Sequence, residues 1–339
     1  MTSDIADMAI GILSTLMILS TLASLIKWDD WWIRVFDFPR IQIATMIILL
    51  LFLSIYCYDW NAVWQVVLVC LLFVSLFYQG YKIFPYTVLA NTQVRKYKGS
   101  DAARTLSILV SNVLTPNRRA DKLIELVNKE QPQIVLTLES DQWWEDQLKG
   151  LETDYPYAVK MPLDNLYGMH LYSKLEIVKH QVNYLVQEDI PSIEAWVKLS
   201  SEETIRLYCL HPMPPAPTES KTSTNRDAEI LLVGKLIKQV KEPVLVMGDL
   251  NDVAWSNTTR LFQRISGLLD PRIGRGFFST FHASYPFLRW PLDHIFHSSA
   301  FEHIEYKRLS NIGSDHFPIF TKLYLKENSK YYKEKPMAD

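Results

Sequence analysis

Val244-Leu-Val-Met-Gly-Asp-Leu-Asn251 is a short apolar run that stops abruptly at a glycine and an aspartate. Four consecutive apolar residues, preceded by Pro243 and ended by Gly248, are typical of a buried β-strand. Asp249 and Asn251 stand two positions apart, so both side chains point to one face of an extended segment. The sequence therefore predicts a buried strand that carries two polar side chains to the end of a sheet.

The same pattern recurs along residues 106–316. Apolar runs adjoin polar side chains that strands normally avoid, namely Asn112, Glu139, His211, Asp293, Asp315 and His316. Helical periodicity at 121–129 and 226–240 alternates with the strands, as in α/β domains. Because α/β proteins build their sites where strand ends gather at one sheet edge, we expect these side chains to lie close together.

The first hundred residues have a different character. They contain three uncharged runs, at 8–26, 41–58 and 60–81. Each run has about the ~20 residues that a helix needs to cross a bilayer. The chain begins with Asp4 and Asp7 rather than with the basic residues of a secretory signal. The sequence therefore predicts three transmembrane helices.

The rest of the chain carries most of the charge. Residues 1–100 hold 7 of the 35 basic and 6 of the 37 acidic side chains, which leaves 28 basic and 31 acidic side chains for the other 239 residues. A domain without a positive surplus is a poor candidate for general nucleic-acid coating. The three cysteines (Cys57, Cys70 and Cys209) indicate neither a disulfide framework nor a CxxC zinc site.

The placement of basic residues predicts the orientation in the membrane. Lysine and arginine lie between the first and second apolar runs and after the third, but not before the first run or between the second and third. Cytoplasmic loops carry an excess of such residues. We therefore expect an integral protein of the inner or plasma membrane with its C-terminal domain in the cytoplasm. The expected division is a membrane anchor at 1–81, a juxtamembrane connector at 82–103, a catalytic domain at 104–326 and a polar tail at 327–339.

Six strings appear in a fixed order along the expected catalytic domain. They are Leu109-Val-Ser-Asn112, Leu136-Thr-Leu-Glu-Ser140, Cys209-Leu-His211, Met247-Gly-Asp-Leu-Asn251, Pro291-Leu-Asp-His294 and Gly313-Ser-Asp-His-Phe-Pro318. Together they resemble the endonuclease/exonuclease/phosphatase superfamily over about residues 104–326. The resemblance implies an α/β fold, a four-layer sandwich of two sheets with helices outside, preceded here by the three transmembrane helices. It also implies hydrolysis of a phosphoester with a divalent cation.

The resemblance assigns a metal site. Glu139 would be the principal ligand of Mg²⁺, with Mn²⁺ as the alternative cation, while Asn112 would lie beside it and Asp315 would help. The residue types agree, because hard oxygen ligands suit these cations and phosphoryl transfer needs charge neutralisation. One departure is Leu114, which stands where DNA-directed members often have a second polar residue.

The resemblance also assigns the groups that act on the ester. Asp249 would orient or deprotonate the attacking water, and Asn251 would hold a phosphate oxygen. His316 would bond the phosphoryl group while Asp293 orients its ring, since a carboxylate fixes the tautomer of a histidine and raises its proton affinity. His211 would be a second phosphate contact or a proton donor, with a purely structural histidine as the alternative.

Three further residues are candidates for substrate binding. Asn165 or Tyr167 could lie near the phosphate, and the sequence does not choose between them. Arg226 could reach a phosphate, although its position in the first turn of a helix favours a solvated side chain. His294 should point away from the face of Asp293 and have a structural role.

Three functions remain open at this stage. The favoured one is a membrane-tethered phosphoesterase that hydrolyses a phosphomonoester or phosphodiester, small or lipid-derived, by water attack. The second is an endonuclease or exonuclease of the same superfamily, with nucleic acid as a less favoured partner. It would need a local basic rim, for which the candidates are Arg118, Arg119, Arg272, Arg275 and Arg289. The third is a non-catalytic membrane adaptor.

Overall fold

The computed structural model describes residues 2–327, so positions 328–339 of the expected tail lie outside the described residues. The chain opens with helices α1 (Thr2–Ala23), α2 (Trp31–Arg34), α3 (Arg40–Cys57) and α4 (Val63–Ile83). Three segments are long and apolar enough to cross a membrane, at Ile5–Ala23, Arg40–Cys57 and Val63–Tyr86. They pack on one another, and their outward faces expose large apolar side chains such as Phe52 and Phe77.

A buried arginine ties the three long helices together at one end. The guanidinium of Arg40 donates to Asp37 at 2.5 Å, to Gln79 at 3.0 Å and to Ser24 at 3.3 Å. A buried charge is tolerated only when it is paired and hydrogen-bonded. These bonds therefore fix α1, α3 and α4 at the end that faces the following domain.

The following domain contains two mixed β-sheets. The first sheet has the strand order β10-β11-β1-β2-β4-β3 and the second has the order β5-β6-β7-β8-β9. The strands are β1 (Thr105–Asn112), β2 (Ile134–Leu138), β3 (Tyr157–Met161), β4 (Met169–Ser173), β5 (Ile177–Asn183), β6 (Ser192–Lys198), β7 (Thr204–Leu210), β8 (Val244–Asp249), β9 (Asp293–His297), β10 (Phe301–Arg308) and β11 (Ile319–Leu325). Within each sheet one central pair is parallel, β1 with β2 and β7 with β8, and the other pairs are antiparallel.

Side chains alternate between an inner and an outer core. Ile108 and Val110 of β1 point into the core between the two sheets, while Leu109 points outward. The outer face of the first sheet is covered by α5 (Ala120–Glu130) and α6 (Gln142–Leu148), and that of the second by α7 (Thr224–Ile237) and α8 (Asn257–Ser266). This arrangement is the four-layer α/β sandwich with three preceding apolar helices, so the predicted fold is confirmed.

Three strands lie outside the stretches for which the sequence predicts strands, which are 106–110, 134–138, 169–172, 195–199, 205–210, 244–247, 292–296 and 318–325. β3, β5 and β10 are edge strands of their sheets, and each leaves several side chains partly or fully exposed. Edge strands often carry polar and charged residues that block further pairing. They therefore lack the continuous apolar run by which the central strands were predicted.

The three long apolar helices and the β-sandwich share a small core. Tyr86, at the end of the third candidate span, packs with Trp255, Val253 and Leu292 of the domain. The hydroxyl of Tyr86 donates to the carbonyl of Ala254 at 2.7 Å. The indole of Trp255 donates to the carbonyl of Asp37 at 2.7 Å. These contacts hold the domain against the end of the helix bundle.

We predict that Trp255→Phe destabilises the full-length protein by about 1–3 kcal/mol, because the buried carbonyl of Asp37 loses its donor. Trp144→Phe is a matched control, since Trp144 is equally buried and its indole nitrogen has no hydrogen-bond partner among the described residues. Thermal unfolding in detergent measures both variants. An equal loss in the two variants would show that the bond to Asp37 contributes nothing.

Candidate active site

The ends of the two parallel strand pairs supply the polar side chains. Asn112 is the last residue of β1 and Glu139 directly follows β2, so both lie at the same edge of the first sheet. His211 directly follows β7 and Asp249 ends β8, at one edge of the second sheet. Asp293 begins β9 and is paired with Asp249 across the antiparallel ladder. The topology therefore brings polar side chains from both sheets to one place.

Local backbone geometry explains the residues around Asp249. Gly248 has a φ of +142°, and a Cβ atom there would lie 2.0 Å from the carbonyl oxygen of Leu210. Only glycine allows β7 and β8 to approach so closely. Glu139 and Asn251 have φ values of +57° and +51°, in the left-handed region that non-glycine residues rarely occupy. Such conformations cluster at functional sites because the surrounding structure must hold them.

The amide of Asn112 bridges the two sheets. Its nitrogen donates to Glu139 Oε1 at 2.7 Å and to Asp249 Oδ2 at 3.2 Å. Its oxygen accepts the backbone N–H of Leu114 at 3.0 Å. In this orientation the amide stabilises the two carboxylates by hydrogen bonding. To bind a cation, it would have to present its oxygen to the pocket.

His316 and Asp293 form a buried ion pair. His316 Nδ1 lies 2.7 Å from Asp293 Oδ2, and its Nε2 lies 3.4 Å from Asp249 Oδ2. Burial disfavours the charged ring, but Asp293 and Asp249 outweigh it and raise the pKa of His316 to about 10. The ring is therefore an imidazolium at neutral pH, with one N–H toward Asp293 and the other toward Asp249.

His211 lies beside the same carboxylates in a different state. Its Nε2 is 3.9 Å from Asp249 Oδ2 and 4.0 Å from Glu139 Oε1. Burial lowers the pKa of His211 to about 4, although the charge of Asp249 opposes this shift. The ring is therefore neutral at pH 7 and can donate one hydrogen bond into the site.

The carboxylates fit a divalent cation. Burial raises the pKa of Glu139 to about 7, partly opposed by the hydrogen bond from Asn112. Asp249 and Asp315 line the same pocket as Glu139. A buried cluster of carboxylate oxygens is the donor set that Mg²⁺ and Mn²⁺ prefer. Ligand atoms of Asp249, Asp293 and His316 also lie within 4.8 Å of one another, but Asp293 Oδ2 is already bonded to His316.

The pocket around these groups has a volume of about 280 Å³. Its polar floor is Glu139, His211, Asp249, Asn251, Asp315 and His316. Its walls are largely apolar, and they include Phe38, Leu166, Phe281 and Leu292. Phe38 belongs to the linker between α1 and α3, so the N-terminal helical segment forms part of the wall. No sequence motif marks Phe38, so the sequence does not predict its position in the pocket.

Of the substrate-binding candidates Asn165 and Tyr167, the structure places only Tyr167 in the lining of the pocket. Tyr167 lines the pocket, and its hydroxyl donates to the carboxylate of Glu219. Asn165 does not line it. The side chain of Asn165 accepts the backbone N–H of Tyr167 and donates to the carbonyl of Asp189 at 3.0 Å. Asn165 therefore shapes the turn that presents Tyr167.

Arg226 lies behind the pocket rather than in solvent. Only 2 % of it is exposed, so the expectation of a solvated side chain is wrong. Its guanidinium donates to the carbonyl of Asn251 at 2.7 Å and pairs with Asp227 at 2.8 Å and Asp252 at 3.4 Å. These contacts fix the turn that carries Asn251, and the carboxylates hold the arginine from the other side.

The arginines proposed for a basic rim do not surround the pocket, and none of the five lines it. Arg272 is fully buried, pairs with Asp270 at 2.7 Å and contacts His294 Nδ1 at 2.6 Å. Arg118 pairs with Asp141 and stacks on a tryptophan ring. The five candidates therefore form no basic rim at the pocket itself, and two of them, Arg118 and Arg272, are paired with carboxylates. His294 is structural, as expected.

Comparison with known proteins identifies the relatives of this arrangement. A family model described as "Endonuclease/Exonuclease/phosphatase family" matches residues 109–316, from the end of β1 to His316. The match contains the first five of the ordered strings whole and the sixth as far as His316. A search of curated proteins finds no match.

Several solved structures have a similar fold. An endonuclease/exonuclease/phosphatase family protein from Bacteroides thetaiotaomicron is 18% identical, with a TM-score of 0.54 over 68% of this chain and 98% of that chain. TDP2 of D. rerio, solved with a single-strand DNA product, is 18% identical, with a TM-score of 0.55 over 65% and 98%. A mannosyl-6-phosphatase from Bacteroides thetaiotaomicron is 19% identical, with a TM-score of 0.51 over 65% and 99%. At these identities the likeness is one of fold.

We predict that Arg272→Met destabilises the protein by about 3–5 kcal/mol, because the buried carboxylate of Asp270 loses its counter-charge. Arg275→Met is the control, since the partners of Arg275 within residues 2–327 are the carbonyls of Pro271 and Val94 and not a carboxylate. Chemical unfolding of the full chain measures both. If the two variants lose the same stability, Arg272 is not the partner that makes burial of Asp270 tolerable.

Proposed function

The chain belongs to the endonuclease/exonuclease/phosphatase family, and from that premise we propose that it is a membrane-tethered, divalent-metal-dependent phosphoesterase. It would hydrolyse a phosphomonoester or phosphodiester by attack of water. One observation carries this proposal: Glu139, Asp249 and the His316–Asp293 pair meet in a single pocket. In this arrangement Glu139 would bind a cation, Asp249 would position the attacking water, and His316 would donate a charged hydrogen bond.

Glu139 and Asp315 would hold the cation, with Asn112 beside them. When bound, Mg²⁺ or Mn²⁺ would supply positive charge that neutralises the phosphoryl oxygens. The raised pKa of Glu139 supports this role, because a buried carboxylate gains most from a neighbouring cation. Asp315 would add a further negative charge at the pocket and so strengthen the attraction for a doubly charged ion.

Asp249 would orient the attacking water and accept its proton. Its two oxygens have separate partners, since Oδ1 accepts the backbone N–H of Asn251 at 2.9 Å and Oδ2 accepts from Asn112. These bonds hold the carboxylate in one orientation. A positioned base of this kind typically contributes about 10²–10⁴-fold to a rate.

His316 would donate a hydrogen bond to a phosphoryl oxygen as its charge develops. Asp293 acts through His316, keeping the ring charged and aimed. A preorganised charged donor in a site shielded from water is worth more than it is in bulk solvent. Neutral His211 would give a second hydrogen bond to the phosphate, since a ring without the extra proton cannot protonate the leaving oxygen. Asn251 would hold another phosphate oxygen. The side chain of Asn251 keeps one N–H free for this, because the other bonds the carbonyl of Pro212.

The pocket walls favour a small or lipid-derived ester over nucleic acid. Phe38, Phe281 and Leu292 present apolar surface around the polar floor. A nuclease would need cations along the path of a phosphate backbone, and none of the five candidate arginines lines the pocket. The wall formed by Phe38 supports a substrate presented at the membrane surface. We propose the cytoplasmic face of the inner or plasma membrane, as the basic linkers predict.

We predict that Glu139→Gln lowers the rate of phosphoester hydrolysis roughly 100-fold or more, because the pocket loses its principal cation ligand. The assay uses the full chain, Mg²⁺ and a panel of phosphomonoesters, lipid phosphodiesters, plasmid DNA and abasic DNA. A chelator should abolish the wild-type activity. Glu229→Gln is the matched control, since Glu229 is also buried and burial also raises its pKa to about 7, but it does not line the pocket.

Two outcomes would contradict this proposal. Turnover that survives both the chelator and Glu139→Gln would exclude the cation role of Glu139. Cleavage confined to DNA would replace the small or lipid-derived ester with a nucleic acid.

A further inference from the structure

A second cavity, of about 800 Å³, lies apart from the active-site pocket. One side is the beginning of α3, including Ile41, Met46 and Leu49, and the other side is the loop 277–289, including Phe277 and Phe287. We call it the helix–loop groove. Its volume is in the range of about 300–1,000 Å³ that is usual for small-molecule sites. None of its lining residues lines the active-site pocket.

The apolar part of the groove matches the depth of one membrane leaflet. From Ile41 to Leu49 the helix rises about 12 Å. These residues start the candidate span Arg40–Cys57 at the end that faces the domain. The hydrocarbon core of a bilayer is about 30 Å thick, so one leaflet contributes about 15 Å. The groove therefore runs from the headgroup boundary toward the middle of the bilayer.

The loop beside α3 is built for the membrane boundary. Its tip exposes Tyr285, Phe287 and Leu288, and Phe287 is 85% exposed. The carbonyl of Phe287 accepts a hydrogen bond from the side chain of Gln42 at 2.8 Å. This bond holds the tip against the first turn of α3. Aromatic and apolar side chains at this level are stabilised by lipid and not by water.

Two arginines at the polar end of the groove have no counter-ion among the described residues. The guanidinium groups of Arg289 and Arg308 stack on the ring of Phe317, 5.0 Å and 4.4 Å from its centroid. Their hydrogen bonds go to backbone carbonyls, those of Ala283 and Ser279. Within residues 2–327 neither arginine has a carboxylate oxygen within 4.0 Å.

Arg289 and Arg308 carry like charges close together in a partly buried environment, so they repel each other. Burial and the charge of Arg289 both lower the pKa of Arg308. The Nε atom of Arg289 is buried and has no hydrogen-bond partner in the described part of the chain. Lys307 also lines the groove, but it is already paired with Glu130 and Glu305. An anion between the two arginines would relieve their repulsion and use their remaining donors.

We propose that the helix–loop groove binds one anionic membrane phospholipid, with its phosphate on Arg289 and Arg308 and one acyl chain along α3. A planar guanidinium matches phosphate geometry, and the apolar channel below it accepts a chain from the same leaflet. The inference rests on the membrane insertion in the proposed function, but not on hydrolytic activity.

A lipid in this groove would also brace the active site. Phe281, from the same loop, packs on the ring of His316 at 5.0 Å and stacks on Trp290. Phe317, on which both arginines stack, directly follows His316. The lipid is therefore positioned to hold the loop that forms one wall of the pocket.

The test reconstitutes the full chain in phosphatidylcholine nanodiscs with a minor fraction of phosphatidylglycerol. Native mass spectrometry measures the phosphatidylglycerol that remains bound. We expect about one molecule on the wild type and about tenfold weaker retention on Arg289→Gln/Arg308→Gln, since charged hydrogen bonds to phosphate contribute at least that much. Arg289→Lys/Arg308→Lys should bind more than the glutamine variant and less than the wild type, because lysine keeps the charge but not the planar guanidinium.

The matched control is Lys129→Gln/Lys241→Gln, which removes the same charge. Both lysines are exposed and precede β2 and β8, at the sheet edges opposite the active site. Equal retention by the Arg289→Gln/Arg308→Gln variant and the wild type would overturn the proposed lipid site, as would equal retention of phosphatidylcholine and phosphatidylglycerol. Glu139→Gln should bind lipid like the wild type, because Glu139 does not line the groove. A failure of the catalytic proposal can therefore be distinguished from a failure of the lipid site. Extraction of the wild type by alkaline carbonate would instead refute membrane insertion itself.

Discussion

Burial of carboxylates at the junction of two sheets is the constraint on which the rest of the structure depends. Asp249 and Asp293 are buried and the side chain of Glu139 is only 14% exposed, and uncompensated charge is costly away from water. Charged His316 and the amide of Asn112 compensate part of it. A divalent cation would compensate the remainder. The left-handed backbone at Glu139 and the close approach of β7 and β8 at Gly248 accompany this clustering of charged groups.

A second layer of buried charge supports the first. Arg226 holds the turn of Asn251 from behind, and Arg272 pairs with Asp270 while contacting His294, which neighbours Asp293. Neither arginine faces the pocket, yet each fixes backbone from which a pocket residue projects. The shared core of Tyr86 and Trp255 then sets this assembly against the three apolar helices. The candidate site and the helix bundle are thus joined by packed side chains.

Central strands and their polar ends could be predicted from sequence, because a buried strand needs an apolar run and a polar residue at its end stands out. The edge strands β3, β5 and β10 gave no such signal. The surroundings of single side chains were also beyond reach. The sequence predicts a solvated Arg226 and makes Arg272 a candidate for a basic rim, because it does not show that turns and tertiary contacts pair them with Asp252 and Asp270. Phe38 entered the pocket wall for the same reason, from a linker that carries no catalytic motif.

The most direct measurement is an anomalous difference map from crystals of the full-length protein grown with Mn²⁺. We expect one strong peak in the pocket bounded by Glu139, Asp249 and Asp315, and its loss in crystals of Glu139→Gln. A wild-type map without density in this pocket, at Mn²⁺ concentrations that support catalysis, would contradict a cation site there. A peak that persists in Glu139→Gln would contradict the ligand role of Glu139.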